Sequence, residues 1–161
     1  MVSHGAMKIT EGYLGEYASK LVAGYRVVVP PLFRRKLGKE FIIAKGYEGA
    51  LIIVDYHRWD SLIEPLKAAS FLDRNLRETL RFLVASAYSV KVDAQGRLVI
   101  PQALRTYAEI SDKHIGKELV LLGTYNWIEL WEKERWVKHK SYIEENADAI
   151  AQELSHLKKP D

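Results

Sequence analysis

Seven short runs rich in β-branched residues stand out along the chain, at 26–29, 41–44, 50–54, 90–92, 98–100, 118–122 and 127–131. Runs of this length, several bounded by glycine and turn residues, predict strands. Pro30 and Pro101 each stop a strand, because proline has no N–H to give to a ladder. Residues 31–37 and 102–107 then read as short helices opened by those prolines. Elsewhere the period becomes helical. Residues 57–70 place Trp59, Leu62, Ile63 and Leu66 on one face, with Pro65 expected to kink or split the helix. Asp73 caps a second helix running to about residue 87, with Leu76, Leu80, Leu83 and Val84 at helical spacing. A third helical region spans 132 to about 157, where Ile143, Ala147, Ile150, Leu154 and Leu157 follow a 4-3-4-3 spacing. This heptad-like seam is expected to pack on its own domain, with a subunit contact as the alternative.

The pattern is written twice. Tyr25-Arg26-Val27-Val28-Val29-Pro30 is followed by Phe33-Arg34. Seventy-one residues later, Gly96-Arg97-Leu98-Val99-Ile100-Pro101 is followed by Leu104-Arg105. Gly38-Lys39-Glu40 returns as Gly116-Lys117-Glu118, Tyr47 as Tyr125 and Trp59 as Trp136. Each unit is strand, short helix, strand hairpin, long helix. Two copies of so long a period exclude a solenoid and predict a fused, pseudo-symmetric pair of β-rich halves.

Composition adds limits. The chain has 161 residues and 48% hydrophobic content, enough for a core and too much for wholesale disorder. The formal charge is only +3, but residues 15–45 hold seven basic side chains against Glu16 and Glu40. Such a concentration is a polyanion-attracting field or a solvated basic face. There are no cysteines, so no disulfide framework exists, which fits a reducing cytoplasm. No apolar run approaches the ~20 residues of a membrane span, and no signal-peptide core opens the chain. Residues 1–10 read as an unstructured lead or an expression remnant, with Met7 as an alternative start.

At Asp93-Ala94-Gln95-Gly96-Arg97-Leu98-Val99-Ile100-Pro101 the chain resembles the D-x-x-G-R-x-x-x-P strand-turn of AbrB-type swapped-hairpin proteins. The stretch Leu121-Leu122-Gly123 through Glu129-Leu130-Trp131 resembles the L-x-G-x-x-x-x-x-E-L-W segment of the two-repeat MraZ family within that superfamily. Residues 77–93 resemble that family's helix into its second motif, and Tyr13-Leu14-Gly15 its aromatic-x-Gly start. The resemblance covers roughly residues 12–157 and is sharper in the second half. It implies a bacterial transcriptional regulator assembled as a ring. Such a regulator would bind repeated G-rich boxes upstream of its own gene, at the head of a division and cell-wall cluster. The first half departs from the pattern: Val22 stands where the second half has Asp93, and Tyr25 where it has Gly96.

The expected fold is therefore α+β and β-rich, a pseudo-two-fold pair of AbrB-like swapped-hairpin halves with flanking helices. The expected division is a first repeat at 12–59, connecting helices at 60–89, a second repeat at 90–136 and a C-terminal helix at 137–157. The expected partners are double-stranded DNA and further copies of the chain, with a cytoplasmic, nucleoid-associated location. Arginine presents a permanently charged fork that can meet phosphate or the O6/N7 edge of guanine. Arg26 and Arg97 are the candidates for base edges, with Asp93 holding Arg97 in one orientation or merely closing its hairpin. Lys20, Lys91, Arg34 and Arg105 recur at the same offset and are the candidates for phosphate. The rival reading is an oligomeric protein scaffold with solvated loops. Enzyme chemistry finds no support. The five histidines lack metal-ligand spacing, so Asp55-Tyr56-His57 reads as a solvated helix start. Ser86 and Ser89 lack a nucleophile context, and no phosphate loop or cofactor motif occurs. Trp127, Trp131 and Trp136 read as core rather than as a base-stacking platform.

Overall fold

Proline punctuates both halves alike. Pro30 and Pro101 take φ values of −51° and −57° and sit immediately before the short helices α1 (Pro31–Leu37) and α4 (Gln102–Ala108). The computed structural model describes residues 10–154. The first half comprises β1 (Tyr13–Val22), β2 (Arg26–Val28), α1, β3 (Glu40–Lys45), β4 (Leu51–Asp55), α2 (Tyr56–Lys67) and α3 (Arg74–Leu83). The second runs β5 (Tyr88–Lys91), β6 (Arg97–Val99), α4, a 3-10 turn at Asp112–His114, β7 (Glu118–Tyr125), β8 (Ile128–Glu132) and α5 (Lys133–Glu153).

All eight strands form one antiparallel sheet in the order β5-β3-β4-β8-β7-β1-β2-β6. The pairing crosses between halves. β1 of the first half lies on β7 of the second, and β5 of the second lies on β3 of the first. β2 pairs with β6 and β4 with β8 across the pseudo-two-fold. Asp93 N–H donates to Arg97 O at 2.9 Å, tying edge strand β5 to edge strand β6, so the sheet nearly closes on itself. The fold is mixed α+β and β-rich, and its halves are interlocked through swapped hairpins. One continuous core confirms the interlocking: Tyr13, Leu21, Phe33, Phe41 and Ile53 share it with Leu98, Leu104, Leu119 and Leu130.

The longest strand, β1, is the one the pattern does not announce. Its core positions are Tyr13 and Leu21, with Tyr17 partly buried against them, and exposed Gly15 and half-buried Ser19 lie between. Because Gly15 and Ser19 carry no apolar side chain, the apolar positions recur every four residues, which masks the period of two.

Three helix expectations are corrected. Pro65 does not split α2: it falls in the last turn, so the bond its missing N–H withholds from Ser61 O has almost no helix beyond it to break, and the helix ends at Lys67. α3 begins at the Asp73 cap but stops at Leu83, short of residue 87. There Ser86 Oγ donates to Phe82 O and accepts from Lys45 N, so the chain turns toward β3. The α5 seam does not pack on its own domain: Ile143, Ile150 and Leu154 are exposed, and Leu157 lies outside the described residues. Only the first turns of α5 are anchored, through Trp136 against Trp131, Val120 and Leu122. The lead expected at 1–10 lies, Thr10 excepted, outside the described residues.

Candidate nucleic-acid interface

β2 and β6 make a two-stranded ribbon with one buried face and one open face. Val27 and Leu98 point inward and are fully buried. Arg26, Val28, Arg97 and Val99 therefore share the outer face, since side chains alternate along a strand. Arg26 is paired with Val99, and Val28 with Arg97. Val29 N–H donates to Gly96 O and Ile100 N–H to Tyr25 O, both at 3.0 Å. That parity makes Arg26–Val99 and Val28–Arg97 the close, non-hydrogen-bonded pairs of the ladder, with Cα atoms about 4.5 Å apart. The two arginines thus stand diagonally, and each turn that leads to one lies at the opposite end of the ribbon from the other.

The second turn is held by its aspartate. Asp93 Oδ1 accepts from Gln95 N and Arg97 N, and Oδ2 from Arg97 Nε, each at 2.9 Å. The Arg97 N–H above all, with the Arg97 side chain and the Gln95 N–H, holds the Asp93 carboxyl below the usual carboxylate range. Arg97 is thereby held through its Nε, with its side chain 25% exposed. In the first turn Val22 simply pairs with Arg26, and Arg26 forms no ion pair among the described residues. Gly24 and Tyr25 both adopt positive φ there, +81° and +57°.

Arg34 and Arg105 occupy places that spacing does not reveal. Each belongs to one half and covers the turn of the other. Arg34 lies on Gly96, where an added Cβ would collide with the guanidinium. Arg105 lies over the Tyr25 ring, 3.6 Å from its centroid, and its Nη1 donates to Ile100 O at 2.8 Å. Tyr25 and Gly96 are repeat counterparts, as are Arg34 and Arg105. The signal for this brace was present in the sequence as a tyrosine standing opposite a glycine.

Lys20 and Lys91 sit on the strands entering the turns and are exposed. Lys91 pairs with Glu40 at 3.1 Å, and that lysine, with Tyr56, lowers the Glu40 carboxyl. Lys20 lies opposite Glu118, whose carboxylate pairs instead with Lys133 at 3.2 Å.

Asp55 is not a solvated helix start. It caps α2 by accepting from Arg58 N at 2.9 Å, yet it is buried and also accepts from Tyr13 Oη at 2.6 Å and Arg58 Nη1 at 3.0 Å. Burial pushes its carboxyl up, but the Tyr13 hydroxyl and the Arg58 contacts outweigh that and leave it lowered. Burial and Asp55 drive the Tyr13 hydroxyl well above its ordinary value. Glu132 occupies the matching place before α5. It accepts from Glu134 N and Arg135 N and lies 3.4 Å from His114 Nε2. These caps fix the ends of β4 and β8, strands that do not pair with the ribbon. Trp131 is buried against Trp136, and Trp127 packs on the cluster under α2; their ring nitrogens both donate to Glu129 at 3.0 Å. Among the described residues no cluster of acidic or histidine side chains could hold a metal ion.

The sequence model described as "MraZ protein, putative antitoxin-like" matches this chain twice, at residues 13–82 and 83–157. The chain belongs to the MraZ family. It is 34% identical over 145 residues to the "Transcriptional regulator MraZ" of Acetivibrio thermocellus, covering 90% of this chain and 98% of that one. The protein of the same name from Clostridium acetobutylicum is 37% identical over 146 residues, covering 90% and 98%. That from Limosilactobacillus reuteri DSM 20016 is 35% identical over 142 residues, covering 88% and 96%. The two family matches fall on the two interlocked halves, so MraZ membership and the pseudo-two-fold are one observation seen from sequence and from structure. Within this MraZ chain the halves differ in how their turns are held: an aspartate in the second, a tyrosine under an arginine in the first.

Proposed function

We propose that the chain is a sequence-specific DNA-binding transcriptional regulator whose β2–β6 ribbon is the reading surface. The observation that carries this reading is the diagonal of Arg26 and Arg97 on the open face of a two-stranded ribbon. B-DNA's major groove admits such a ribbon, and arginine is the commonest side chain for guanine O6/N7. In this reading Arg26 and Arg97, the latter aimed by Asp93, meet base edges. Lys20 and Lys91 meet phosphate. Arg34 and Arg105 hold the turns in place beneath them. Several copies assembled in a closed ring would array many such ribbons, and repeated promoter boxes would gain from the raised effective concentration. The target is DNA upstream of the protein's own gene, at the head of a division and cell-wall operon, in the nucleoid. The names of the relatives support the regulator reading.

The test is affinity for that upstream DNA and for random duplex across a salt series. Lys91→Ala should weaken both by similar factors and flatten the salt dependence by about one unit of slope per lost contact. Arg97→Ala should collapse the ratio of cognate to random binding with a smaller change in slope. The reverse pattern overturns the assignment of roles.

A second reading, an oligomeric scaffold for a protein partner, is favoured by the exposed apolar seam of α5. A scaffold has no phosphate contacts and releases no counterions, so salt-independent retention of the upstream DNA, or none at all, selects it.

A further inference from the structure

Between the two arginines the ribbon carries two partly exposed valines. Val28 is 39% exposed and Val99 50% exposed, while their strand neighbours Val27, Val29, Leu98 and Ile100 are fully buried. A single exposed valine on a strand needs no explanation. Here the exposed apolar residue recurs at the same place in both repeats, 71 residues apart, in strands only three residues long. Each valine lies directly across from an arginine, Val99 from Arg26 and Val28 from Arg97. The ribbon's open face is therefore a four-cornered patch, arginine and valine alternating around it. Side chains in such close pairs have Cβ atoms about 4.5–5.5 Å apart, near enough to address the same or the next base pair. In a major groove the apolar group within that reach is the 5-methyl of thymine, which no other natural base of DNA displays unmodified.

We propose that Val28 and Val99 form the apolar half of the reading surface and contact thymine 5-methyl groups beside the guanines addressed by Arg97 and Arg26. This rests on the ribbon entering DNA, and it adds a base class to that reading: the site takes guanine flanked by thymine. Polar side chains at these corners could occupy the same strand positions. Valine instead removes its methyls and the thymine methyl from water together, which no phosphate contact rewards. The pairing also makes each arginine fork and its neighbouring valine one unit, so the two halves read equivalent steps although their turns are held differently.

The experiment uses the full chain and two duplexes: the DNA immediately upstream of its own gene, and the same duplex with every thymine replaced by uracil. Uracil pairs as thymine does and lacks only the methyl. Wild type should bind the thymine duplex tighter by about fourfold for each methyl buried. The double variant Val28→Ala, Val99→Ala should lose this preference and bind both duplexes with nearly equal affinity. Arg97→Ala should weaken binding to both while keeping the thymine-to-uracil ratio. Thermal melting of each variant checks that the ribbon still folds, and both valines are exposed enough for alanine to be tolerated. Equal wild-type affinity for the two duplexes overturns the inference while leaving the DNA reading intact. A preference that survives in the double variant overturns it as well, since the methyls would then act through DNA shape. Binding to neither duplex overturns the DNA reading and this inference with it.

Discussion

The Arg105 guanidinium lies 3.6 Å from the centroid of the Tyr25 ring, so the second half's short helix clamps the first half's turn. The reciprocal contact, Arg34 on Gly96, clamps the other turn from the first half. In an interlocked fold neither turn is supported by its own repeat alone. Tyr25 sits at φ +57°, a conformation that costs a non-glycine residue, and the stacked arginine holds it there.

Arg105→Ala should therefore destabilise the protein by about 1–3 kcal/mol, through loss of the cation–π contact and of the bond to Ile100 O. Arg105→Lys should recover little of that, because an ammonium cannot stack flat on the ring while donating sideways. Urea midpoints of the two variants give the answer. A lysine variant as stable as wild type would show that only charge matters at this position.

Arg97→Ala should cost more sequence-specific affinity than Arg26→Ala. Asp93 pre-positions the Arg97 fork, whereas Arg26 lies between Val22 and Val99, forms no ion pair among the described residues, and must be ordered on binding. A good bidentate base contact is worth about 1–3 kcal/mol, and a ring would multiply the difference. Titrations of cognate DNA with each variant compare the two directly. Equal losses with folding intact would mean that Asp93 does not aim the arginine.

Acid should loosen the fold through Asp55 and Glu132. Both carboxyls are lowered in the folded state, so both bind protons more readily once unfolded. Their stabilisation is complete above the unfolded-chain value of about 4 and is lost as pH falls through the lower folded values. Denaturant midpoints should thus decline from about pH 5 downward. Asp55→Ala should lower stability near neutrality by about 2–4 kcal/mol, leaving buried Tyr13 and Arg58 without their partner, and flatten the acid decline. A variant whose midpoint falls as steeply as wild type over that acid range would remove Asp55 from this role.

The seam of α5 should serve self-association. Ile143 is 36% exposed, Ile150 40% and Leu154 58%, on a helix whose own domain covers only its first turns. Ile143→Lys with Ile150→Lys should reduce the mass seen by light scattering at micromolar concentration without lowering the melting temperature of the subunit. A wild-type particle of 18.5 kDa would dispose of the ring, and an unchanged large particle in the variant would place the contact elsewhere.

Local chemistry made much of this molecule legible from its residues. Pro30 and Pro101 end strands and open helices wherever they stand, Asp73 caps the helix after it, and the recurrence of Arg26 at Arg97 needs no coordinates. The duplicated motif likewise carried the family and the pseudo-symmetry. Strand alternation, however, states which way a side chain faces and not which strand lies alongside. Pairing β1 with β7 and β5 with β3 is a long-range choice, settled by the shared core of both halves. β1 itself is not legible because Gly15 and Ser19, standing between Tyr13, Tyr17 and Leu21, break the apolar alternation. The same holds for the candidate site. That Arg26 and Arg97 share one face with Val28 and Val99 comes from the β2–β6 register, and that Arg34 and Arg105 are spent on opposite turns comes from the crossing of the halves. Asp55 looked like a solvated cap because Tyr13, its partner, is 42 residues away and is brought to it only when the sheet closes.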